Sequence, residues 1–151
     1  TKMKFYILGS NRGLGLHLRN EFDCVSFDRP YNLTKDIDTI VEKIESDSVV
    51  ILNAHAEGKQ IKYVEALKDR CRLVVCGSIA SQKKDFSMPI YSQQKQKLEE
   101  YVLEQSLHSK MPMLYLRLTS SSYRNYNLIT NTIRFWLDNP DFTFAGYNIN
   151  E

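Results

Sequence analysis

The sequence predicts an α/β fold in which a doubly wound parallel sheet lies between two layers of helices. Three observations carry that prediction. Short β-branched or aromatic runs alternate with amphipathic stretches along almost the whole chain, the pattern of parallel strands joined through helical crossovers. The 151 residues, 42% hydrophobic and 25% charged, suffice for one soluble core and are too few for a second folded domain. No repeat, low-complexity tract or linker interrupts the order, so residues 1–151 read as one domain.

The elements follow in turn. A first strand at residues 4–8 leads directly into a helix over 13–22, where Leu14, Leu18 and Phe22 recur at steps of four and line one face. A second strand at 24–27 precedes a helix at 38–45 that turns Ile40, Val41 and Ile44 inward. The third strand, 49–53, is followed by a short helix marked by Ile61, Val64, Leu67 and Lys68. After a fourth strand at 72–76 the longest helix runs over 90–107, and Met111-Pro112 closes it, because proline disfavours helical geometry in the residue before it. A fifth strand at 113–118 is succeeded by a helix at 127–137, with Ile129, Ile133 and Trp136 or Leu137 facing inward, and by a weaker sixth strand near 142–145. Right-handed crossovers wind such a chain out from the first strand in one direction and then the other. That reversal leaves a crevice at the carboxyl ends of the strands, where ligands bind.

Twenty Lys plus Arg against eighteen Asp plus Glu leave a net charge of +2, so no global field points to nucleic acid or to an anionic membrane. Any anion site must be local. The longest apolar runs fall far short of the roughly 20 residues of a membrane helix, and residues 1–5 lead into a strand without a signal-peptide apolar core. A cytoplasmic location is the default expectation. Cys24, Cys71 and Cys76 are odd in number and without metal-site spacing, which reads as reduced core thiols; no metal site is expected.

The first strand ends in Gly9-Ser10-Asn11-Arg12-Gly13-Leu14-Gly15, and a helix follows at once. Gly9 permits a sharp turn, Gly13 lets backbone N–H groups approach a diphosphate, and Gly15 lets helix and strand pack closely. The diphosphate would rest on the positive end of the helix dipole. At the end of the second strand, Asp28 can accept hydrogen bonds from an adenosine ribose, which favours NAD. Arg12 and Arg29 can instead pair with a ribose 2′-phosphate, which favours NADP. The choice stays open, as does that of a surface Asp-Arg pair with no cofactor role.

Tyr91 and Lys95 stand four residues apart near the start of the long helix, hence on one face. An ammonium held near a phenol favours the ionised form and prepares it to exchange a proton with a carbonyl or alcohol. Ser78, 13 residues before Tyr91, lies at the end of the fourth strand and can offer a second donor to the same substrate oxygen.

These residues together resemble the short-chain dehydrogenases/reductases. The resemblance rests on Gly9, Gly13 and Gly15, on Asn53-Ala54 at the end of the third strand, and on the Ser78, Tyr91 and Lys95 triad, four ordered motifs over residues 4 to 118. It implies a Rossmann-type domain binding NAD or NADP, with Tyr91 as general acid/base, Lys95 on the nicotinamide ribose and Ser78 orienting the carbonyl. Asn53 and Ala54 would lie against the cofactor, and Asn32-Leu33 looks like the segment that flanks adenine.

The chain also departs from that family, whose members commonly run longer. Only three residues separate Asp28 from Asn32, so the sheet should lack one edge strand and follow the order 2-1-3-4-5-6. The stretch from Asn53 to Ser78 is too short for the long helix that carries the family's additional catalytic Asn. No good substitute emerges there; Gln60 and His55 lie nearby, and His55 reads as a solvated loop residue. After the fifth strand the chain has Thr119-Ser120-Ser121-Ser122 in place of Pro-Gly, hydroxyls suited to a nicotinamide carboxamide or to a solvated turn. The C-terminal segment is short, so a homodimer or homotetramer is expected to close the site. Leu98, Tyr101, Val102 and Gln105 form a stripe that fits either a twin helix or the sheet.

The expected activity is hydride transfer between a nicotinamide cofactor and a small carbonyl or alcohol substrate. A non-catalytic NAD(P)-binding regulatory or sensing module is the competing reading. Nucleotide-sugar epimerisation, dehydration or reduction ranks last, for want of a large C-terminal lobe.

Overall fold

A computed structural model describes residues 3–27, 29–78, 89–119 and 125–146. Six strands and five helices alternate: β1 (Phe5–Leu8), α1 (Gly13–Glu21), β2 (Val25–Ser26), α2 (Ile37–Lys43), β3 (Val49–Leu52), α3 (Gln60–Leu67), β4 (Arg72–Ser78), α4 (Pro89–Gln105), β5 (Met113–Leu118), α5 (Tyr126–Asp138) and β6 (Phe144–Gly146). A 3-10 turn, Ala56–Gly58, joins β3 to α3. All neighbouring strands run parallel in the order β2-β1-β3-β4-β5-β6, the order expected from the short connection after the second strand.

The central strands β1, β3, β4 and β5 are largely apolar on both faces because both faces are covered. Side chains alternate across the sheet. Tyr6, Leu8, Val50, Leu52, Leu73, Val75, Met113 and Tyr115 face one way and pack with Ile40 of α2, Tyr63, Val64 and Leu67 of α3, and Leu98 and Val102 of α4. Ile7, Val49, Ile51, Val74, Cys76, Leu114, Leu116 and Leu118 face the other way, against Leu14 and Leu18 of α1 and Ile129, Ile133 and Trp136 of α5. Three helices thus cover one face and two the other.

Several element ends differ from the sequence expectation, each for a packing reason. β2 is cut to two residues because it is an edge strand paired only through Tyr6↔Val25 and Ile7↔Ser26. Helix α2 stops at Lys43; Ile44 turns to extended geometry and still enters the core. The buried face of α3 is Gln60, Tyr63, Val64 and Leu67, not the expected set. Ile61 lies only partly buried at the core margin, and Lys68 follows the helix as its cap. Helix α4 ends at Gln105, and Leu107 beyond it is 79% exposed, with no core to hold it in a helix. Of the α4 stripe, Leu98 and Val102 are buried against the sheet, and Tyr101 packs on the same cluster. β4 runs two residues further than expected, because Gly77 and Ser78 pair with Arg117 and Leu118 of β5.

Cys71 and Cys76 are buried free thiols, and Cys24 is half-buried. Burial pushes the thiols of Cys24 and Cys76 up to about 12, as suits unreactive core residues. Among the described residues no helix is long and apolar enough to cross a membrane, and no cluster of His, Cys, Asp or Glu is arranged to hold a metal ion.

Candidate active site

Winding reverses between β1 and β3, so their carboxyl ends lie side by side at the crevice. There the backbone is tied tightly. The Asn53 and Ala54 amides both donate to the Leu8 carbonyl, at 3.0 and 2.9 Å, and Asn53 Nδ2 donates to the Gly9 carbonyl at 2.8 Å. Gly9 has φ +95°, and a methyl group on it would lie 2.7 Å from the Ala54 nitrogen. A methyl group on Gly15 would collide with the Gly9 carbonyl oxygen, so α1 sits directly on the turn only because this residue has no Cβ.

The cap residue of α1, Arg12, is extended and makes no side-chain cap hydrogen bond. The first amides of α1 are therefore left to solvent or to a ligand. Beside them opens a cleft of about 590 Å³, lined by Gly9, Asn11, Arg12, Gly13, Leu14, Gly15, Asn53 and Ala54. Glycines that admit no side chain, an uncapped helix start and this volume together fit a dinucleotide's diphosphate. Ser10 alone of the turn is withdrawn from the cleft lining, with 1% exposure.

The other half of the site grows from the next strand ends. Tyr91 is in the first turn of α4 and Lys95 one turn later. Lys95 Nζ lies 5.6 Å from the centroid of the Tyr91 ring. Lys95 is buried, 3% exposed; its ammonium donates to Gln60 Oε1 at 2.6 Å and reaches the Cys76 carbonyl at 3.5 Å. Burial lowers its pKa to about 8. Ser78, half-buried, is the last residue of β4, two positions beyond Cys76. Thr119 follows Leu118, the residue paired with Ser78, and so stands at the same end of the sheet.

His55 joins the two halves. It follows Ala54 of the cleft wall, and its ring sits 4.7 Å from that of Tyr91. The residues after it, Ala56, Glu57 and Gly58, all have positive φ, a strained run that brings the loop back against α4. Gln94 of α4 donates from Nε2 to the Glu57 carbonyl at 3.3 Å, which turns its Oε1 to His55 Nε2 at 2.9 Å. That network assigns the ring hydrogen to Nε2 and leaves Nδ1 buried without a hydrogen-bond partner among the described residues. His55 is therefore a packed residue, not the solvated loop residue expected. Burial, followed by the charge of Lys95, lowers its pKa.

The other expected positions among the described residues, Arg29, Asn32 and Leu33, are not part of the cleft lining. Arg29 is exposed. Asn32 closes a turn, its Oδ1 accepting from the Thr34 and Lys35 amides at 2.9 and 3.0 Å. The Leu33 carbonyl accepts from the Tyr63 hydroxyl at 2.6 Å, and its side chain packs on the core. Asp28 and Ser120 to Ser122 lie outside the described residues. The sequence points to Gln60 only as lying near the place of the missing Asn, without a role, and gives no sign of Gln94 as a site residue. For Gln60 a signal existed: a polar residue at the head of the spacing Gln60, Tyr63, Val64, Leu67, inside the apolar face of a helix.

Comparison with solved structures places this architecture. The chain is similar to a short-chain dehydrogenase/reductase from Vibrio parahaemolyticus, with a TM-score of 0.69 and 14% identity over 95% of this chain and 100% of the other. A small-chain dehydrogenase matches with a TM-score of 0.73 and 12% identity over 99% and 98% of the two chains. A small-chain dehydrogenase in complex with NADPH matches at 0.59 and 12%, over 97% and 86%. The chain has the short-chain dehydrogenase/reductase fold in a short form, a Rossmann-type sheet that these neighbours share over most of their length. No family model and no curated protein matches the sequence.

Proposed function

We propose that this chain is an NAD(P)-dependent oxidoreductase that moves a hydride between a nicotinamide cofactor and a carbonyl or alcohol substrate, with Tyr91 as general acid/base. The observation that carries this reading is a buried ammonium, Lys95, held beside the Tyr91 phenol next to a glycine-lined cleft. The NADPH complex of a protein with the same fold supports a nicotinamide cofactor.

In this reading the turn from Gly9 to Gly15 and the first amides of α1 bind the diphosphate, while Asn53 and Ala54 form the wall beside it. Asp28, or Arg12 with Arg29, takes the adenosine ribose or its 2′-phosphate; Asn32 and Leu33 are the adenine-side positions. Lys95 and Thr119 serve the nicotinamide half. A bound dinucleotide supplies the hydride or accepts it. Tyr91 passes its proton to the substrate oxygen, and the Ser78 hydroxyl gives that oxygen a second donor. Lys95, with its pKa near 8, carries its charge at neutral pH and favours the ionised phenol left behind. Leu103 of α4 and Leu107 just beyond it, both exposed, support pairing of copies into a homodimer or homotetramer.

The test is oxidation of NADH and NADPH with a panel of aldehydes and ketones. Wild type should turn over, and Tyr91→Phe should lose about 10²–10⁴-fold in kcat. Equal rates remove Tyr91 from the mechanism. Cofactor-dependent thermal stabilisation of wild type without turnover of any substrate favours the binding-module reading.

A further inference from the structure

We propose that Gln60 is a positioning residue: its side-chain amide, clamped between the carboxyl ends of β3 and β4, fixes the Lys95 ammonium beside Tyr91. Its consequence for turnover rests on the oxidoreductase reading; its geometry does not. Gln60 is 2% exposed at the first position of α3. Its Nε2 donates to the Leu52 carbonyl at 2.9 Å and to the Cys76 carbonyl at 3.0 Å. A primary amide has two N–H donors, and both are engaged. A flipped amide would set its oxygen against two carbonyls and its NH2 against an ammonium, three repulsive contacts for none gained. Oε1 therefore points one way only, to Lys95 Nζ at 2.6 Å.

The Cys76 carbonyl is shared, since Lys95 Nζ approaches it at 3.5 Å. Two strands, one helix start and one lysine are thus joined at a single amide. The choice of amide over carboxylate has a chemical effect. Gln60 orients the ammonium without neutralising it, so the charge remains available to the phenol, and burial can keep the lysine pKa near 8. Among the described residues, the titratable groups near Lys95 are Cys76 from β4, His55 from the β3–α3 connection and Tyr91 from α4 itself, with Glu99 one turn further along that helix. Cys76 is held as a thiol and burial lowers the His55 pKa, while Glu99 pairs with Arg117 at 2.7 Å. None of these supplies the counter-charge that a carboxylate at position 60 would.

The experiment follows lysine ¹³Cε resonances through a pH titration of the whole protein, with the Lys95 signal identified by its absence from Lys95→Met. In wild type, Lys95 should titrate near pH 8, and the Gln60 side-chain NH2 signals should shift with the same midpoint. Gln60→Glu should raise the Lys95 midpoint by at least about one pH unit, a tenfold gain in proton affinity, and move the corresponding limb of the pH–rate profile with it. Gln60→Met should lower kcat more than it raises the cofactor KM. A Lys95 midpoint identical in wild type and Gln60→Glu overturns the proposal. If that variant does not fold, Gln60 NH2 signals indifferent to the Lys95 titration in wild type overturn it equally. Lys95 titrating as described in a protein that turns over no substrate retains the role of Gln60 and removes the oxidoreductase reading; turnover with an indifferent Lys95 does the reverse.

Discussion

Lys95 exerts two opposite effects, on the site and on the stability of the fold. Its pKa falls from 10.5 to about 8 on folding, chiefly through burial. Below pH 8 both states hold the proton, and the folded state bears the whole cost of burying it. Between about 8 and 10.5 the unfolded chain binds more protons, so this residue makes stability rise with pH. The cost is about 3 kcal/mol at neutral pH. Lys95→Met should therefore be more stable than wild type at pH 7 by about 1–3 kcal/mol, the gain being reduced by the acceptor left unmet on Gln60. The difference should vanish as pH approaches 10.5, which urea unfolding of both proteins at several pH values checks. Cys24, Cys76 and Tyr63, all raised to about 12, act in the opposite sense above pH 9, but they are common to both proteins and cancel in the comparison. The spacing of Ser78, Tyr91 and Lys95 was legible in the sequence because it is local to one strand end and one helix. The partner of Lys95 was not, because Gln60 is recruited by carbonyls from two strands that only the sheet brings together.

At the scale of elements, the junction of β1 with α1 is the most constrained. Gly15→Ala drives a methyl group into the Gly9 carbonyl oxygen, backbone that cannot give way without lifting α1 from the sheet. We expect a loss of about 3 kcal/mol in stability and, under the proposed function, loss of the melting-temperature shift that NAD(H) or NADP(H) should give wild type. Parallel thermal scans with each cofactor measure both. This junction was readable because glycine at such positions answers a backbone demand. On the inward face of α3, Val64 and Leu67 are buried as the sequence predicts, but Gln60 and Tyr63 complete the face instead of Ile61 and Lys68, because apolarity alone favours Ile61 over the adjacent Gln60. Only the polar carbonyls at the strand ends make the glutamine the better buried residue.

At the scale of the whole molecule, the described residues form one sheet with a core on each face, and neither core can persist without the strands they share. Trp136, the single tryptophan, is fully buried beneath α5 on one face, and Leu67 of α3 is fully buried on the other. Leu67→Ala should cost about 2–5 kcal/mol and shift the Trp136 fluorescence transition by as much as the far-UV circular dichroism transition, although the two side chains lie in different cores. Separate shifts would mean that the faces unfold independently.

The chain alone determined the alternation of strand and helix, the strand order that follows from a short connection after β2, and the glycine turn, since each depends on periodicity or on backbone geometry within a few residues. Tertiary structure alone decided where the strands end, which face of α3 is buried, how His55 is drawn against Tyr91, and what holds Lys95. These depend on hydrogen-bonding groups far apart in sequence that meet only when the parallel strands align, and local patterning carries no record of such meetings.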